Sequence, residues 1–284
     1  MKTIPRKHLF LLLLISVLAV SSVYSQERIV YKQIDSTSLF MDVYRPANFD
    51  ASKKYPAMVF FFGGGWNGGS VKQFEPHAKY FAKRGMICFL VDYRVASRQH
   101  TTPFESLKDA KSAIRFIKEQ RGNLQVDTSM IVAAGGSAGG HLAAATALIN
   151  DYNEDTDNLK TSAVPNALVL FNPVIDNGPG GYGFERIRNQ YKNFSPLHNI
   201  QKGTPPTIIF LGSKDHLIPV ETMQYYKTVM TKVNSRCDLH LYDEQGHGFF
   251  NYAKFEFYKK TIHETDAFLK SLGFLRQKPL VEIE

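Results

Sequence analysis

The sequence predicts an α/β fold: a mostly parallel central sheet of about eight strands, helices on both faces, and an antiparallel pair at the N-terminal edge. Short continuous apolar runs, typical of strands buried on both faces, recur along the chain. Helical patterns lie between them, as the connections of a parallel sheet require. Residues 28–45 instead alternate apolar and polar side chains, which favours partly exposed antiparallel strands.

The individual elements follow from these patterns in chain order. After the alternating pair, buried strands are predicted at residues 57–62, 86–91, 130–134, 167–171 and 207–211, and a more alternating strand at 238–242. Apolar residues at helical spacing predict helices over residues 74–82, 104–117, 138–149, 220–233 and 255–272. An irregular insert, rich in Gly, Pro and Tyr, occupies residues 172–206, and we expect it to form a short lid or pocket wall.

The composition is that of a globular protein. Of the 284 residues, 44% are apolar, 13% aromatic and 21% charged, which excludes disordered, coiled-coil and disulfide-framework proteins. The formal net charge is +8, but no run of five or more Lys or Arg residues follows the N-terminus. Nucleic acid is therefore not an expected partner. Nothing in the sequence indicates an oligomeric state.

The N-terminus predicts export. Lys2, Arg6 and Lys7 precede an apolar run over residues 9–20, which is shorter than the roughly 20 residues of a membrane span. We expect a signal peptide at residues 1–25, cleaved before Gln26, with an uncleaved anchor as the alternative. Residues 26–284 then form a single domain of net charge +5, without stable membrane insertion, in the periplasm or outside the cell. We expect Cys88 and Cys237, on well-separated strands, to be free thiols.

One Gly-rich segment carries the strongest chemical signal. Residues 135–139, Gly-Gly-Ser-Ala-Gly, fit the pattern G-x-S-x-G between a buried strand and a helix. A serine at such a sharp turn has strained dihedral angles, and its neighbours must be small for the backbones to pass. The turn also places Ser137 at a helix N-terminus, where developing negative charge is favoured. Ser137 is therefore the candidate nucleophile.

A serine nucleophile needs a base and an acid that orients the base. Asp215 follows the strand at 207–211, and His247 follows the strand at 238–242, which gives the chain order Ser, Asp, His. Asp243 and Asp176, which also follow strands, are the alternative acids. The other candidate histidines are expected to be structural or to lie at the pocket rim: His141, His77 and His216.

The loop over residues 63–69, Gly-Gly-Gly-Trp-Asn-Gly-Gly, predicts an oxyanion hole. Backbone N–H groups can converge on one oxygen only where side chains do not block the approach. We expect the donors to be the N–H groups of Gly64, Gly65 and Ala138. The alternative is a flexible Gly-rich loop without a function.

Taken together, Phe62 with the three glycines, the Ser137 motif, Asp215 and the Gly-His-Gly-Phe-Phe run at 246–250 resemble carboxylesterases of the α/β-hydrolase superfamily. The chain looks most similar to acetyl-xylan and feruloyl esterases and to esterases of the hormone-sensitive-lipase type. These families usually have histidine where this chain has Phe62. Because that histidine braces the loop through its side chain, we expect the bracing to differ here. The long N-terminal cap of the lipase-like relatives is missing, so we expect an open pocket.

The resemblance implies an exported serine esterase that needs neither a metal nor a cofactor. Its substrate is expected to be a small ester or an acylated glycan, with acetyl or feruloyl groups on plant polysaccharides such as xylan favoured. Four residues are predicted to contact the substrate: Trp66, Asn172, Tyr182 and Phe184. The alternatives are a serine exopeptidase of the prolyl-oligopeptidase type and a non-catalytic binding protein on the same fold.

Overall fold

A computed structural model describes residues 26–277 and 281–283. The predicted signal peptide lies outside the described residues. Eight strands form one sheet: β1 (Gln26–Ile34), β2 (Thr37–Tyr44), β3 (Tyr55–Phe61), β4 (Ile87–Val91), β5 (Val126–Gly136), β6 (Ala167–Phe171), β7 (Thr207–Gly212) and β8 (Cys237–Tyr242). Their order is β1-β2-β4-β3-β5-β6-β7-β8. The pairs β1–β2 and β2–β4 are antiparallel and all the others are parallel. The predicted α/β architecture with an antiparallel N-terminal edge is confirmed.

Four longer helices connect the strands, a fifth follows the last strand, and four single-turn helices lie in the loops of the described chain. In chain order they are α1 (Glu75–Lys83), α2 (Ala96–Gln99), α3 (Pro103–Glu119), α4 (Arg121–Leu124), α5 (Ala138–Leu148), α6 (Phe184–Ile187), α7 (Tyr191–Phe194), α8 (Val220–Lys232) and α9 (Phe255–Ser271). Thr102 begins α3 with a capping box in which Glu105 bonds back to the Thr102 N–H. None of the described helices is long and apolar enough to cross a bilayer.

Strands β3 to β7 form the core because both of their faces are covered. Every residue of β4, β6 and β7 is buried, and α5 is buried on nearly all sides. This is why the sequence shows continuous apolar runs rather than alternation. β5 is longer than predicted: it begins at Val126 and continues to Gly136, so it delivers the chain directly to Ser137.

Cys88 and Cys237 lie on β4 and β8, with four strands between them. At about 4.8 Å per strand they are roughly 24 Å apart, far beyond the reach of a disulfide. Both are buried free cysteines. Burial raises the pKa of the Cys88 thiol well above its usual value and that of Cys237 to about 12.

A cluster of buried charges joins the N-terminal edge to the loop after α5. The Asp109 carboxylate binds Lys32 Nζ at 2.7 Å and Arg94 Nε at 2.8 Å, and Glu154 binds both cations at 2.9 Å. Buried ions persist only when they are paired, so removing Asp109 would leave two buried cations without their nearest anion. None of these four residues lines the cavity in front of Ser137.

Candidate active site

Ser137 lies at the sharp turn between β5 and α5. Its backbone has φ 54° and ψ −120°, a conformation that a residue with a side chain rarely adopts. Two hydrogen bonds secure the turn: the Ser137 N–H donates to the Phe171 carbonyl at 2.9 Å, and the His141 N–H donates to the Ser137 carbonyl at 3.0 Å. The turn therefore projects the serine beyond the carboxyl end of the sheet, as the G-x-S-x-G pattern predicts.

The glycine two residues after Ser137 is required by close packing. A Cβ atom on Gly139 would lie 2.1 Å from the Phe61 carbonyl oxygen and 2.3 Å from that of Phe62. Since both are backbone atoms, neither can move aside cheaply. Gly139 thus lets the first turn of α5 pack directly against the end of β3, which carries the Gly-rich loop.

His247 and Asp215 complete a chain of hydrogen bonds that begins at Ser137. The Ser137 Oγ lies 3.0 Å from His247 Nε2, and His247 Nδ1 lies 2.8 Å from Asp215 Oδ2. The other Asp215 oxygen accepts the N–H groups of Leu217 and Ile218 at 2.9 and 3.0 Å. The Asp215 side chain is fully buried, and the His247 side chain is 17% exposed. A carboxylate only accepts, so His247 carries its proton on Nδ1 and Nε2 is free to accept.

The alternative acids lie elsewhere. Asp243 Oδ1 accepts the Ser213 hydroxyl at 3.1 Å, and Asp176 Oδ1 accepts the Gly178 N–H at 2.8 Å. Neither carboxylate is bonded to His247. Geometry therefore favours Asp215 over both, in agreement with its position after β7.

The alternative histidines are not bonded to Ser137 Oγ either. His141 is fully buried; its Nε2 lies 3.0 Å from the Phe194 carbonyl oxygen, and its ring stacks on Phe194. Burial lowers the pKa of His141 to about 3. His216 is exposed. His77 is also fully buried, and neither of its ring nitrogens has a hydrogen-bond partner among the described residues.

His77 lies in an aromatic cage, edge-on to Tyr258 at 4.8 Å, Phe74 at 5.0 Å and Phe171 at 5.4 Å between ring centroids. Burial lowers its pKa to about 3. The unfolded chain therefore binds a proton at this residue below pH 6.5 that the folded chain does not bind until pH 3. Its contribution to stability is complete above pH 6.5 and falls as the pH drops towards 3, by about 1.4 kcal/mol per pH unit.

We expect His77→Phe to reduce this loss of stability in acid. Between pH 6.5 and pH 5 the variant should lose about 2 kcal/mol less free energy of unfolding than the wild type. At pH 7 the variant should be as stable as the wild type or about 1 kcal/mol more stable, because an unpartnered polar ring is removed. Urea unfolding across this pH range measures both effects, with the exposed His263→Gln as control. Equal pH slopes for His77→Phe and wild type would contradict the assignment.

The three predicted oxyanion donors lie around the Ser137 turn. In the described chain, the N–H groups of Gly64 and Gly65 donate to no other backbone carbonyl. Ala138 is the first residue of α5, where N–H groups lack partners within the helix. Gly64 has φ 130°, and a Cβ there would lie 2.2 Å from the Gly68 carbonyl oxygen. Gly64 lines the cavity in front of Ser137, and Gly65 and Ala138 are not among the residues that line it. Their function as donors stays a prediction.

The Gly-rich loop is braced without the histidine that Phe62 replaces. The Phe62 ring stacks on Tyr93 with 4.1 Å between centroids, and the Tyr93 hydroxyl donates to the Phe62 carbonyl at 2.6 Å. On the cavity side, the Gly63 N–H donates to Gln73 Oε1 at 2.7 Å. Apolar stacking and a glutamine amide thus hold this loop.

A cavity of about 500 Å³ opens in front of Ser137 and His247. Two of the four predicted substrate contacts, Asn172 and Tyr182, lie in its wall. The Asn172 Nδ2 is also 3.3 Å from His247 Nε2, and its Oδ1 accepts the Gly248 N–H at 3.0 Å. Asn172 therefore contacts the candidate base directly, which the sequence did not indicate.

The other two predicted contacts, Trp66 and Phe184, are not among the residues that line this cavity. The Trp66 side chain is only 1% exposed and packs between His141 and Tyr182. Its backbone has φ 55°, in a turn that directs the chain back into the core. Phe184 begins α6 and packs against Tyr191. The buried Trp66 ring thus supports the insert through Tyr182, whereas a substrate contact by the half-buried Phe184 stays a prediction.

The structure adds residues to the site that the sequence did not single out. Those in the cavity wall include Ser70, Gln73, Leu217, Phe250 and Asn251. Asn251 follows His247 by four residues, so its proximity was a usable signal. Gln73 follows the Gly-rich loop by four residues, so it too was near a motif, but nothing in its own segment distinguishes it from a surface glutamine. Within the described residues, no group of three or more His, Cys, Asp or Glu side chains is arranged to hold a metal ion.

Two family models match the chain. The BD-FAE model matches residues 41–179, and the dienelactone hydrolase family model matches residues 166–278. The first match contains the Gly-rich loop and Ser137, and the second contains Asp215 and His247. All the residues brought together around Ser137 therefore lie in segments that resemble these families.

Solved structures and curated relatives that are similar to this chain include esterases. Thermogutta terrifontis esterase 2 phosphorylated by paraoxon is 41% identical, with a TM-score of 0.85, over 89% of this chain and 96% of that one. The same esterase with propionate bound is 40% identical, with a TM-score of 0.84 and the same coverage. An acetylxylan esterase of Xylanibacter ruminicola is 26% identical over 67% of this chain and 40% of its own length.

A probable carboxylic ester hydrolase of Mycobacterium tuberculosis, LipM, is 26% identical over 69% of this chain and 49% of its own length. The chain thus spans about half the length, or less, of these two curated relatives. It spans nearly the whole of the Thermogutta esterase chain.

Proposed function

Because this chain belongs to the esterases of the α/β-hydrolase family, we propose that it is a serine carboxylesterase that hydrolyses esters of short acyl groups. The observation that carries this proposal is the unbroken hydrogen-bond chain from Ser137 through His247 to the buried Asp215 carboxylate, at the wall of an open cavity. These three residues form the proposed catalytic triad.

The proposed reaction has two halves, acylation of Ser137 and hydrolysis of the acyl-enzyme. Ser137 Oγ attacks the ester carbonyl while His247 Nε2 takes the hydroxyl proton, and Asp215 holds the imidazolium through Nδ1–H. The N–H groups of Gly64, Gly65 and Ala138 stabilise the tetrahedral oxyanion. His247 then gives its proton to the leaving alcohol. Water, activated by the same nitrogen, attacks the acyl-enzyme and releases the carboxylic acid and Ser137.

Two observations support a preference for short acyl groups: the residues that line the cavity beside Ser137 and the ligand bound by a relative. The wall beside Ser137 is closed by Phe250, whose ring packs against Gly136, and by Leu217 and Tyr182. The Thermogutta esterase binds propionate, a short carboxylate of the kind that such hydrolysis releases. A second cavity of about 220 Å³ shares Tyr182 and Leu217 with the first and offers room for part of the alcohol. We propose acetyl esters of polysaccharide alcohols, including xylan, as substrates, with feruloyl esters as the alternative.

The test is a substrate panel with the purified protein. We expect p-nitrophenyl acetate and propionate to be hydrolysed at least about tenfold faster, in kcat/KM, than the octanoate, in keeping with the short propionate ligand of the Thermogutta esterase. A dipeptidyl anilide is expected to stay intact. Acetate release should exceed ferulate release across acylated glycans. Hydrolysis of the anilide without the esters would contradict the proposed function, and equal rates for all chain lengths would contradict the short-acyl preference.

The proposed substrate lies outside the cell, which agrees with the export predicted from residues 1–25. Export itself is proposed from the N-terminal sequence, through its basic start and apolar run. N-terminal sequencing of the protein from its native source tests it. A mature chain that begins at Gln26 is expected, and an intact Met1 would contradict cleavage and favour the uncleaved anchor.

A further inference from the structure

One side chain connects the Gly-rich loop with the loop that carries His247. Gln73 lies in a single 3₁₀ turn, Val71–Phe74, ten residues after Gly63. Its Oε1 accepts the Gly63 N–H at 2.7 Å, and its Nε2 donates to Asn251 Oδ1 at 3.0 Å. The oxygen of this neutral amide therefore accepts one hydrogen bond, and its nitrogen donates the other.

Asn251 continues this connection towards the candidate base. Its Nδ2 donates to the Gly248 carbonyl at 2.8 Å, and the Gly248 N–H donates to Asn172 Oδ1 at 3.0 Å. The Asn172 Nδ2 then reaches His247 Nε2 at 3.3 Å. A continuous series of hydrogen bonds thus runs from the start of the Gly-rich loop to the nitrogen that faces Ser137 Oγ.

The side chains of this series are neutral amides, which suits a wall that faces a developing oxyanion. Gln73 and Asn251 both line the cavity in front of Ser137, together with Gly63 and Gly64. A carboxylate in the wall would oppose an oxyanion forming there, whereas fixed amide dipoles do not. On the opposite side, the Phe62 ring stacks on Tyr93, and the Phe62 carbonyl accepts the Tyr93 hydroxyl. The Gly65 carbonyl accepts the Arg186 guanidinium, but Gln73 is the side chain that bonds the Gly63 N–H, at the start of the Gly63–Gly65 backbone.

We propose that Gln73 is a positioning residue for the esterase reaction. Its hydrogen bond to Asn251 fixes the position of the Gly63–Gly65 backbone relative to His247. The oxyanion donors and the base therefore keep constant distances from each other. This inference rests on the proposed function of Ser137 and His247. Gln73 acts through the loop and does not itself meet the reacting atoms, so its removal affects the transition state more than substrate binding.

The experiment compares Gln73→Leu, Asn251→Ala and the double variant with the wild type on p-nitrophenyl acetate. Each single variant is expected to lower kcat by about 10- to 100-fold, with KM changed by less than about threefold, because a displaced oxyanion loop weakens the transition state selectively. The double variant should lose no more than the worse single one, because both act through the same bond. Gln73→Glu keeps the acceptor for Gly63 but not the donor to Asn251, so it should also be slow.

A boronic acid, which forms a tetrahedral adduct with a nucleophilic serine, provides a readout besides turnover. Its inhibition constant should rise in the variants in parallel with the loss of kcat/KM, whereas inhibition by propionate should not change. The control is Gln224→Leu, an exposed glutamine on α8, with kcat expected within twofold of wild type. The thermal unfolding midpoint verifies that each variant is folded, and Asn251→Ala breaks the same bond if Gln73→Leu does not fold.

The outcomes separate this inference from the proposed function. An active wild type with a folded Gln73→Leu variant of unchanged kcat overturns the positioning role and leaves the esterase proposal standing. An effect of Gln73→Leu on KM alone would make Gln73 a substrate contact. Additive losses of kcat in the double variant would show that Gln73 and Asn251 act independently. Either result overturns the inference. A wild type that hydrolyses none of the esters overturns both proposals.

Discussion

Ser137→Ala is expected to lower kcat for p-nitrophenyl acetate by a factor of about 10³ or more, because the chain then has no nucleophile for His247 to activate. The oxyanion hole and binding alone leave only residual catalysis. The same substitution should abolish reaction with paraoxon. In the wild type, we expect Ser137 Oγ to attack phosphorus, its proton to pass to His247 and p-nitrophenolate to leave. One phenolate should then be released for each protein molecule.

The control for this variant is Ser129→Ala, a serine on the same strand at the opposite end of the sheet. It should keep the wild-type rate and still gain one diethylphosphoryl group, which intact-protein mass spectrometry detects. Equal turnover in Ser137→Ala and wild type would remove Ser137 as the nucleophile. Labelling of Ser137→Ala by paraoxon would point to a different reactive residue.

Asp215→Asn is expected to lower kcat by about 10³- to 10⁴-fold with little change in KM, through the tautomer of His247. The Leu217 and Ile218 N–H groups bind one oxygen of Asp215, so the carbonyl oxygen of an asparagine would stay with them. Its amide NH₂ would then face His247 Nδ1 and donate to it. The histidine proton moves to Nε2, which can no longer accept the proton of Ser137.

Asp243→Asn and Asp176→Asn are the matched controls, since each removes one carboxylate that also follows a strand of the sheet. Both should retain kcat within a few-fold of wild type, because neither carboxylate is bonded to His247. A severe loss in Asp243→Asn together with an active Asp215→Asn would transfer the orienting function to Asp243. The pH profile of kcat/KM in Asp215→Asn should show activity recovering only at alkaline pH, where a base other than His247 can assist.

The sequence predicted the fold well because its signals are local. Continuous apolar runs marked β3, β4, β6 and β7 to within one or two residues, and alternation marked the antiparallel edge. Both ends of β5 were predicted less accurately. Residues 126–129 and the two glycines before Ser137 show no continuous apolar run, although both segments lie in the strand. Strand pairing, rather than side-chain pattern, decides these positions.

The site was predicted in part. Ser137, Asp215 and His247 could be chosen because strand ends of a parallel sheet meet at one edge, whatever lies between them in sequence. The sequence did not indicate that the Trp66 side chain is buried, because an aromatic residue in a Gly-rich loop gives the same pattern whether its ring faces a pocket or the core. Its positive φ and its contacts with His141 and Tyr182 send it inward.

By itself, the sequence determined the α/β fold, the sharp serine turn and the chain order of the three candidate residues Ser137, Asp215 and His247. Each of these follows from one short segment or from the order of the segments. Only the tertiary structure decided which carboxylate reaches His247, how the loop after Phe62 is braced, and that Gln73 and Asn251 connect it to the His247 loop. Gln73 and Asn251 are 178 residues apart, and each is an ordinary polar residue in its own segment. Their contact exists only because the ends of β3 and β8 are brought to the same edge of one folded sheet.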